Sequence, residues 1–180
     1  MTDLIKSAEI FARSRHAGQL RKGDAQEPYI VHVEEVAELV TVWGGSASAI
    51  AAAWLHDTVE DCPPTSFAEI EQEFGSDVAS IVHEMTDDKS LPKAERKKLQ
   101  ILNAAKKSEA ACLIKLADKS SNVAAIGSSP PADWSAERKR EYVAWARTVV
   151  APLPYKPDVA LQAFDNRCEA TLNVIDGIIG

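Results

Sequence analysis

This sequence has no long apolar run, little cysteine and comparatively little basic charge, and each shortage excludes a class of protein. No uninterrupted apolar stretch approaches the roughly 18 residues that would suggest a membrane-spanning helix. The three cysteines, Cys62, Cys112 and Cys168, are odd in number and lack the spacing of metal ligands, so we expect reduced thiols rather than a disulfide framework. The first residues become charged too early for a signal peptide. These features predict a cytoplasmic protein that does not act in a membrane.

Acidic residues outnumber basic ones, 27 to 20, which gives a net charge of −7. A broad surface for nucleic acid draws its affinity from Lys and Arg that neutralise phosphates, so we expect no nucleic-acid partner. A small anionic ligand remains compatible, because a local group of cations can concentrate positive potential within an acidic protein. The two candidate groups are the Arg21-Lys22 pair and the basic stretch Lys93–Lys98.

Strands of alternating β-branched residues are absent, whereas apolar residues recur at helical spacing along most of the chain. With 180 residues, of which 46% are hydrophobic, the chain is long enough for one sizeable core and too short for two ordinary domains. We therefore predict an all-α, single-domain bundle of about eight to ten helices over residues 1–180. The expected helices lie at about 3–17, from Pro28 to Gly44, from Ser46 to about Glu60, from Ser66 to Gly75, at 76–86, from Pro92 to about Lys106, at 108–127, from Ser135 through Val149, and at about 158–176.

The third predicted helix ends in an unusual run, AAAWLHDTVED, in which four ionisable groups close an apolar element. His56 and Glu60 stand four positions apart, as do Asp57 and Asp61, so each pair would lie on one face of the helix. The alanines that precede His56 predict that its imidazole is buried, where a charge needs a partner or a metal. The run is equally compatible with a solvated helix end, so on its own it does not decide between a metal site and a surface.

Two distant residues strengthen the metal hypothesis. His32 falls on the apolar stripe of the second helix with Val36 and Leu39, and Asp118 interrupts a helix that is otherwise expected to be buried. A lone core histidine or a lone buried aspartate usually has a structural explanation. Both together, in the order His, His-Asp, Asp, favour a divalent ion such as Mn²⁺, for which two imidazoles and two carboxylates are suitable ligands.

This ordered set resembles the HD superfamily of metal-dependent phosphohydrolases, and more narrowly the stand-alone small alarmone hydrolases of the RelA/SpoT homologue family. The resemblance extends from about residue 5 to residue 150 and rests on several spaced segments. The matching segments are RKGDAQEPYIVH (21–32), HDTVED (56–61), FGSDVASIVHEMTDDKSLPKAERKKLQ (74–100), IKLADKSSN (114–122) and WSAERKREYVAWA (134–146). Residues 151–180 lie outside it, and we expect them to form a C-terminal helical extension that serves packing or assembly.

The resemblance implies a Mn²⁺-dependent hydrolase that releases pyrophosphate from the 3′ position of guanosine 3′,5′-bis(diphosphate) (ppGpp) and its pentaphosphate analogue (pppGpp), by attack of a water activated at the metal. A different hydrolysis on the same fold, such as removal of the 2′-phosphate of NADPH, stays open. A non-catalytic sensor that only binds an alarmone is a third alternative, which the presence of both Glu60 and Asp61 disfavours. The expected partner is thus a small nucleotide, and a homo-oligomer is left open.

The resemblance also implies residue roles by position. The metal ligands would be His32, His56, Asp57 and Asp118, and the acid pair that orients or deprotonates the attacking water would be Glu60 and Asp61. The positions implied to contact the substrate are Arg21, Lys22, Lys93, Asn122, Arg138 and Tyr142. Some of these positions keep a structural alternative, such as a solvated loop for Arg21-Lys22 or a core position for Tyr142.

Two positions depart from the family pattern. Ser120 and Ser121 stand where the family often has large apolar or aromatic side chains. We expect a smaller and more polar wall there, which would affect nucleotide stacking and substrate preference but not the metal site. His16 and His83 match no ligand position and are expected to be structural or surface residues.

Overall fold

The fold is a bundle of α-helices, and the computed structural model describes it for residues 3–178. Within that range a single isolated bridge, between Leu20 and Pro28, is the only β-type pairing. The helices are α1 (Asp3–Arg15), α2 (Ile30–Val42), α3 (Ala47–Leu55), α4 (Thr58–Asp61), α5 (Phe67–Phe74), α6 (Ser76–Met85), α7 (Lys93–Ala104), α8 (Glu109–Ser128), α9 (Ala136–Val150) and α10 (Asp158–Ile175). The predicted all-α class and the number of helices are confirmed. No helix in the described part of the chain is both long enough and apolar enough to cross a membrane.

Serine side chains start several of these helices. Ser46, Ser66 and Ser135 each accept a hydrogen bond from the backbone N–H three residues later, as their sequence context predicts, and Ser108 does the same at the start of α8. Such a cap satisfies one of the otherwise unpaired amides of a first helical turn. The glycine after α2, Gly44, has a φ of 81°, a conformation that side-chain-bearing residues rarely adopt. Helix starts and stops are therefore encoded locally.

The prediction that the third helix continues to Glu60 is wrong, because α3 ends at Leu55. Two side chains after Leu55 donate hydrogen bonds to the last carbonyl groups of the helix. His56 Nδ1 donates to Ala53 O (2.7 Å), and Thr58 Oγ1 donates to Leu55 O (2.7 Å). Asp57 has φ −104° and ψ −3°, and α4 then begins as a separate turn. His56 and Glu60 are therefore not stacked on one continuous helix face.

Two helices form the centre of the core. Every residue of α3 from Ala49 to Leu55 is buried, and so is every residue of α8 from Ala111 to Ser121. α1, α2 and α6 pack around α3, and α2 and α6 also contact α8. Polar side chains that these two helices carry inward are therefore removed from water, which makes their partners decisive for stability.

The C-terminal helix packs along α8. Ala160, Phe164 and Cys168 of α10 are buried, and Thr171 Oγ1 donates to Val123 O of α8 (3.0 Å). A Cβ at Gly127 would lie 3.0 Å from Thr171 Oγ1, so the close approach of the two helices uses the missing side chain. α10 thus lies against the helix that carries Asp118.

Candidate metal centre and substrate cavity

Three elements bring the first set of predicted side chains together. His32 lies in the first turn of α2, His56 directly follows α3, and Asp118 lies midway along α8. They expose 1%, 2% and 8% of their surface, respectively. One nitrogen or oxygen atom from each lies within 4.8 Å of the others, so a single ion could contact all three.

The hydrogen bonds of both imidazoles leave the same nitrogen free. His56 Nδ1 donates to the Ala53 carbonyl, which can only accept, so His56 Nε2 is the nitrogen with the lone pair in the neutral ring. His32 Nδ1 lies 2.8 Å from Ser121 Oγ. Both Nε2 atoms are buried without a hydrogen-bond partner. Neither nitrogen makes a well-aligned hydrogen bond, and the polar atoms nearest to both are carboxylate oxygens. A divalent ion bound among them fits this donor set.

Asp57 lies at the edge of this group. Its Oδ2 is 3.1 Å from His56 Nε2 and 3.7 Å from His32 Nε2, and it accepts a hydrogen bond from the Tyr29 hydroxyl (2.6 Å). Although burial opposes ionisation, the charge of His56 and the adjacent imidazole of His32 keep the pKa of Asp57 well below its usual range. A charged carboxylate is therefore available as a fourth ligand next to the tighter group of three.

Buried lysines keep Asp118 ionised. Lys119 Nζ lies 3.0 Å and Lys115 Nζ 3.9 Å from Asp118 Oδ2, and both lysines are 4% exposed. Against the effect of burial, these two charges lower the pKa of Asp118 to about 2. Burial likewise opposes the charged form of His56, but Asp57 and Asp118 raise the pKa of His56 to about 9. A divalent ion would therefore compete with a proton for His56, which would make its binding depend on pH.

Asn122 links Asp118 to the loop before α2. One turn after Asp118 on α8, Asn122 Nδ2 donates to Asp118 Oδ1 (2.6 Å), and its own Oδ1 accepts from Arg21 (3.1 Å). Asn122, which is predicted to contact the substrate, thus bonds directly to the predicted metal ligand Asp118, and Arg21 bonds to Asn122.

The acid pair lies beside the cluster with cationic partners of its own. Glu60 Oε2 accepts from the Asp87 amide (3.1 Å), and Arg96 Nη1 lies 3.6 Å from Glu60 Oε1. Burial, followed by the nearby acids Asp57 and Asp87, raises the pKa of Glu60. Asp61 forms an ion pair with Lys89. Glu60 is therefore the member of the pair whose surroundings favour uptake of a proton.

A cavity of about 450 Å³, which we call the cationic cavity, opens beside the acid pair. It is lined by six cationic side chains, four acidic ones and an aromatic wall. The cations are Lys22, Lys89, Lys93, Arg96, Lys97 and Arg138; the acids are Glu60, Asp61, Asp87 and Glu141; and the aromatic wall is Trp134, Tyr142 and Trp145. The mixture suits an anionic ligand that is held near, but not on, the carboxylates.

A second cavity of about 330 Å³ adjoins it and is more apolar. Lys22, Asp61, Trp134 and Tyr142 line both cavities, so a ligand could extend from one to the other. The remaining walls of this apolar cavity include Leu20, Arg21, Tyr29, Asn122, Ala125, Ile126 and Pro131. A larger cavity, of about 650 Å³, lies between α1 and α5 and is lined by none of the predicted site residues.

The comparisons with known proteins agree with this geometry. A family model described as an HD domain matches residues 8–153. The chain belongs to the HD-domain family. This HD-domain chain is 47% identical over 152 residues to the guanosine-3′,5′-bis(diphosphate) 3′-pyrophosphohydrolase MESH1 of Xenopus tropicalis, covering 83% of this chain and 84% of that protein. The Homo sapiens protein of the same name is 43% identical, with the same coverage.

A solved structure supports the same placement of the HD-domain chain. It is described as a metazoan orthologue of SpoT that hydrolyses ppGpp, and it superposes with a TM-score of 0.88 at 38% identity over 94% of this chain and 96% of that one. The bifunctional (p)ppGpp synthase/hydrolase SpoT of Escherichia coli is 31% identical over 84% of this chain but only 21% of its own length. The resemblance to small alarmone hydrolases is confirmed, and an HD-domain hydrolase uses a divalent metal, for which His32, His56 and Asp118 form a suitable group.

The HD-domain structure places all the predicted substrate residues around the two cavities. Lys22, Lys93, Arg138 and Tyr142 line the cationic cavity, and Arg21 and Asn122 line the apolar one. His16 is buried against Cys62 and Gln19 and His83 is exposed beside Phe67, so neither joins the metal group, as expected.

The expected polar wall at Ser120 and Ser121 is not found. The two residues expose 0% and 1% of their surface and line neither cavity. Ser120 Oγ donates to Leu116 O of its own helix (2.8 Å), whereas Ser121 contacts His32. The reason is the pitch of α8: the face that carries Asp118 and Asn122 towards the cavities turns these two serines inward.

Several site residues escaped sequence reasoning. Tyr29, Lys115 and Lys119 contact the predicted ligands, and Trp134 and Trp145 complete the aromatic wall. The two lysines had a usable signal, since they flank Asp118 on a helix that is otherwise apolar and a buried lysine needs a carboxylate. The contact of Tyr29 depends on tertiary packing and had none.

Proposed function

We propose that this chain is a metal-dependent phosphohydrolase that removes the 3′-diphosphate of ppGpp and pppGpp as pyrophosphate. The observation that carries the proposal is the pair of buried Nε2 atoms of His32 and His56, which make no well-aligned hydrogen bond and face Asp118 and Asp57 beside a cavity rich in lysine and arginine. The relatives that share 43–47% of their residues with it carry the name of that activity. The free, buried cysteines are in keeping with a cytoplasmic location.

The metal would be held by His32, His56, Asp118 and Asp57. Two imidazole nitrogens and two carboxylates suit a borderline-to-hard divalent ion, and we propose Mn²⁺. Such an ion supplies Lewis acidity, which polarises a phosphoryl oxygen and makes a water more acidic. The hydrogen bond from His56 Nδ1 to Ala53 O and the contacts of Asp118 with Lys119 and Asn122 hold the donor atoms in place before the ion binds.

Proton transfer would belong to Glu60. Its raised pKa makes the carboxylate a better proton acceptor near neutral pH than a solvated glutamate. The Asp87 amide and Arg96 fix its orientation towards the cavity. Asp61, which is paired with Lys89 on the same wall, would assist by holding the water or by taking over the proton.

The phosphates would occupy the cationic cavity. Lys22, from the loop before α2, and Lys93, from the first turn of α7, both line it. Arg138 stacks on Trp134 with its guanidinium carbon 4.5 Å from the ring centroid. These charges would neutralise the substrate without approaching the metal ligands. The nucleoside would extend into the apolar cavity against Tyr142, beside Arg21 and Asn122.

A nucleotide panel tests this proposal. Metal-stripped protein is incubated with ppGpp, GTP or NADPH, each with Mn²⁺ and with excess chelator, and the products are separated by ion-exchange chromatography. We expect guanosine 5′-diphosphate and pyrophosphate from ppGpp, only with Mn²⁺. Faster release of phosphate from NADPH than of pyrophosphate from ppGpp would replace the proposed substrate, and binding of ppGpp without turnover would indicate a sensor.

A further inference from the structure

Ser121 lies directly behind the proposed ligand His32. Its Oγ is 2.8 Å from His32 Nδ1, and the residue is 1% exposed on the central helix α8. Because Nδ1 is engaged with the serine, the other ring nitrogen, Nε2, is the one that faces Asp57 and Asp118. Whether Nε2 has a lone pair for a metal depends on which atom holds the proton in the Nδ1–Oγ hydrogen bond.

Glu35 is the charged group that could set the direction of that hydrogen bond. It lies three positions after His32 on α2, so both side chains project from the same face. The Ser121 hydroxyl, together with Arg167, lowers the pKa of Glu35 against the effect of burial. Arg167 Nη1, 2.6 Å from Glu35 Oε1, favours the ionised form of this carboxylate, which only accepts hydrogen bonds. A Ser121 hydroxyl that donates its single proton to Glu35 accepts from His32 Nδ1–H. The neutral imidazole then presents the lone pair of Nε2.

Arg167 extends the chain of contacts to α10. Its Nη1 lies 2.6 Å from Glu35 Oε1, and the two side chains expose 28% and 32% of their surface. Residues 151–180 had been expected to serve packing or assembly alone. Through Glu35 and Ser121, this ion pair connects Arg167 of the C-terminal segment with His32 of the metal group.

We propose that Ser121, Glu35 and Arg167 are positioning residues that fix the tautomer and orientation of His32 for metal binding. The arrangement extends the familiar pairing of a metal-bound histidine with a carboxylate by inserting a serine hydroxyl. It rests on the proposed role of His32 as a metal ligand. Ser121 stands where the family often has a large apolar or aromatic side chain. In this proposal the serine supports metal binding and does not contact the nucleotide.

The test is the Mn²⁺ affinity of metal-stripped variants, measured from the electron paramagnetic resonance signal of free Mn²⁺. Ser121→Ala should bind Mn²⁺ about 10-fold to 100-fold more weakly, the range found when such supporting partners are removed. Ser120→Ala is the matched control, because it deletes the same hydroxyl one position earlier, at equal burial, where the partner is Leu116 O of its own helix. Its affinity should stay within about 2-fold of the wild type, and Ser121→Thr, which keeps the hydroxyl, should recover affinity.

The linkage to Glu35 and Arg167 needs a separate measurement. Glu35→Gln and Arg167→Met alter half-exposed side chains, so both should fold even if Ser121→Ala does not. Each should weaken Mn²⁺ binding, and the double variant Ser121→Ala/Glu35→Gln should be no weaker than Ser121→Ala, since the two act through one path. Proton–nitrogen correlation spectra of the imidazoles should show His32 protonated at Nδ1 in the wild type and a mixture of tautomers in Ser121→Ala.

Two results would separate the possible failures. If wild-type protein binds no Mn²⁺ at His32, the proposed function fails with the positioning chain. If the wild type binds Mn²⁺ but Ser121→Ala, Glu35→Gln and Arg167→Met bind it equally well, with an unchanged His32 tautomer, only the positioning chain is overturned.

Discussion

At the scale of single residues, the surroundings of Glu60 bear most directly on proton transfer. Its carboxylate has a raised pKa, is oriented by the Asp87 amide, and lines the cationic cavity. Glu60→Gln keeps the size of the side chain and removes its capacity to take a proton. Turnover should fall by roughly 10²-fold or more, the scale of general acid–base catalysis, with Mn²⁺ affinity nearly unchanged. Steady-state kinetics and metal titration check the two halves of this prediction.

The control for Glu60→Gln is Glu71→Gln, the same substitution at an exposed position of α5. Because Asp61 lines the same cavity, it could partly replace Glu60, so the double variant Glu60→Gln/Asp61→Asn is the sharper test. Near wild-type turnover in the double variant would mean that Glu60 and Asp61 are solvated residues at a helix end and take no part in proton transfer.

At the scale of elements, α7 is expected to serve substrate binding through its first turn. Lys93 lies at the rim of the cationic cavity, whereas Lys98 of the same helix is 72% exposed and lines neither cavity. Lys93→Ala, and likewise Lys22→Ala, should raise KM for ppGpp roughly 10-fold to 100-fold and leave Mn²⁺ binding almost unchanged, since a charge-assisted contact contributes about 1.5–3 kcal/mol. Lys98→Ala is the matched control. Unaltered KM values in both cavity variants would show that Lys22 and Lys93 are solvated surface residues that do not bind the substrate.

The C-terminal helix α10 yields a prediction about stability. Phe164 is 1% exposed, and its truncation to alanine should lower the free energy of unfolding by about 3–5 kcal/mol, measured by urea denaturation. Val159→Ala, on the same helix at 60% exposure, should change it by less than about 0.5 kcal/mol. Similar small effects in both variants would show that α10 is not part of the cooperative core.

Element boundaries were predictable where the determinants are local. Ser46, Ser66 and Ser135 mark helix starts, and Gly44 marks an end, because caps and positive φ depend on neighbouring residues. The end of α3 was not predictable in this way. His56 and Thr58 bond to carbonyls three residues earlier, but the sequence does not show whether such side chains turn back onto the helix or face solvent.

At the scale of the whole molecule, the order of His32, His56-Asp57 and Asp118 along the chain, together with the family resemblance that it supports, led to the prediction that these residues meet. Sequence could not predict how they are held, because the supporting contacts join residues far apart in the chain: Tyr29 with Asp57, Ser121 with His32, and Arg167 with Glu35. The net charge of −7 also conceals a cavity with six cationic side chains. Overall charge therefore led to the expectation of no nucleic-acid partner but carried no information on the location of an anion site.

The proposed ligands come from α2, α8 and the segment that joins α3 to α4. A bound ion should therefore link these elements to one another. An ion that binds only the folded state stabilises it, by about 2.7 kcal/mol at a free concentration 100 times its dissociation constant. Mn²⁺ should therefore raise the melting temperature of chelator-stripped protein. Asp118→Ala should abolish the rise, while His83→Ala, a histidine outside the group, should keep it. An equal rise in all three proteins would place the ion elsewhere.

The most direct test joins the metal group to the reaction. Pyrophosphate release from ppGpp is measured against Mn²⁺ concentration for wild-type protein and for His56→Ala, which removes one of the two unpartnered Nε2 atoms. We predict that the wild type shows a saturable dependence on Mn²⁺ and no turnover in excess chelator, and that His56→Ala shows no turnover at any Mn²⁺ concentration that saturates the wild type. Equal pyrophosphate release by the two proteins, or turnover by the wild type after the metal has been removed, would contradict a metal-dependent phosphohydrolase built on this site.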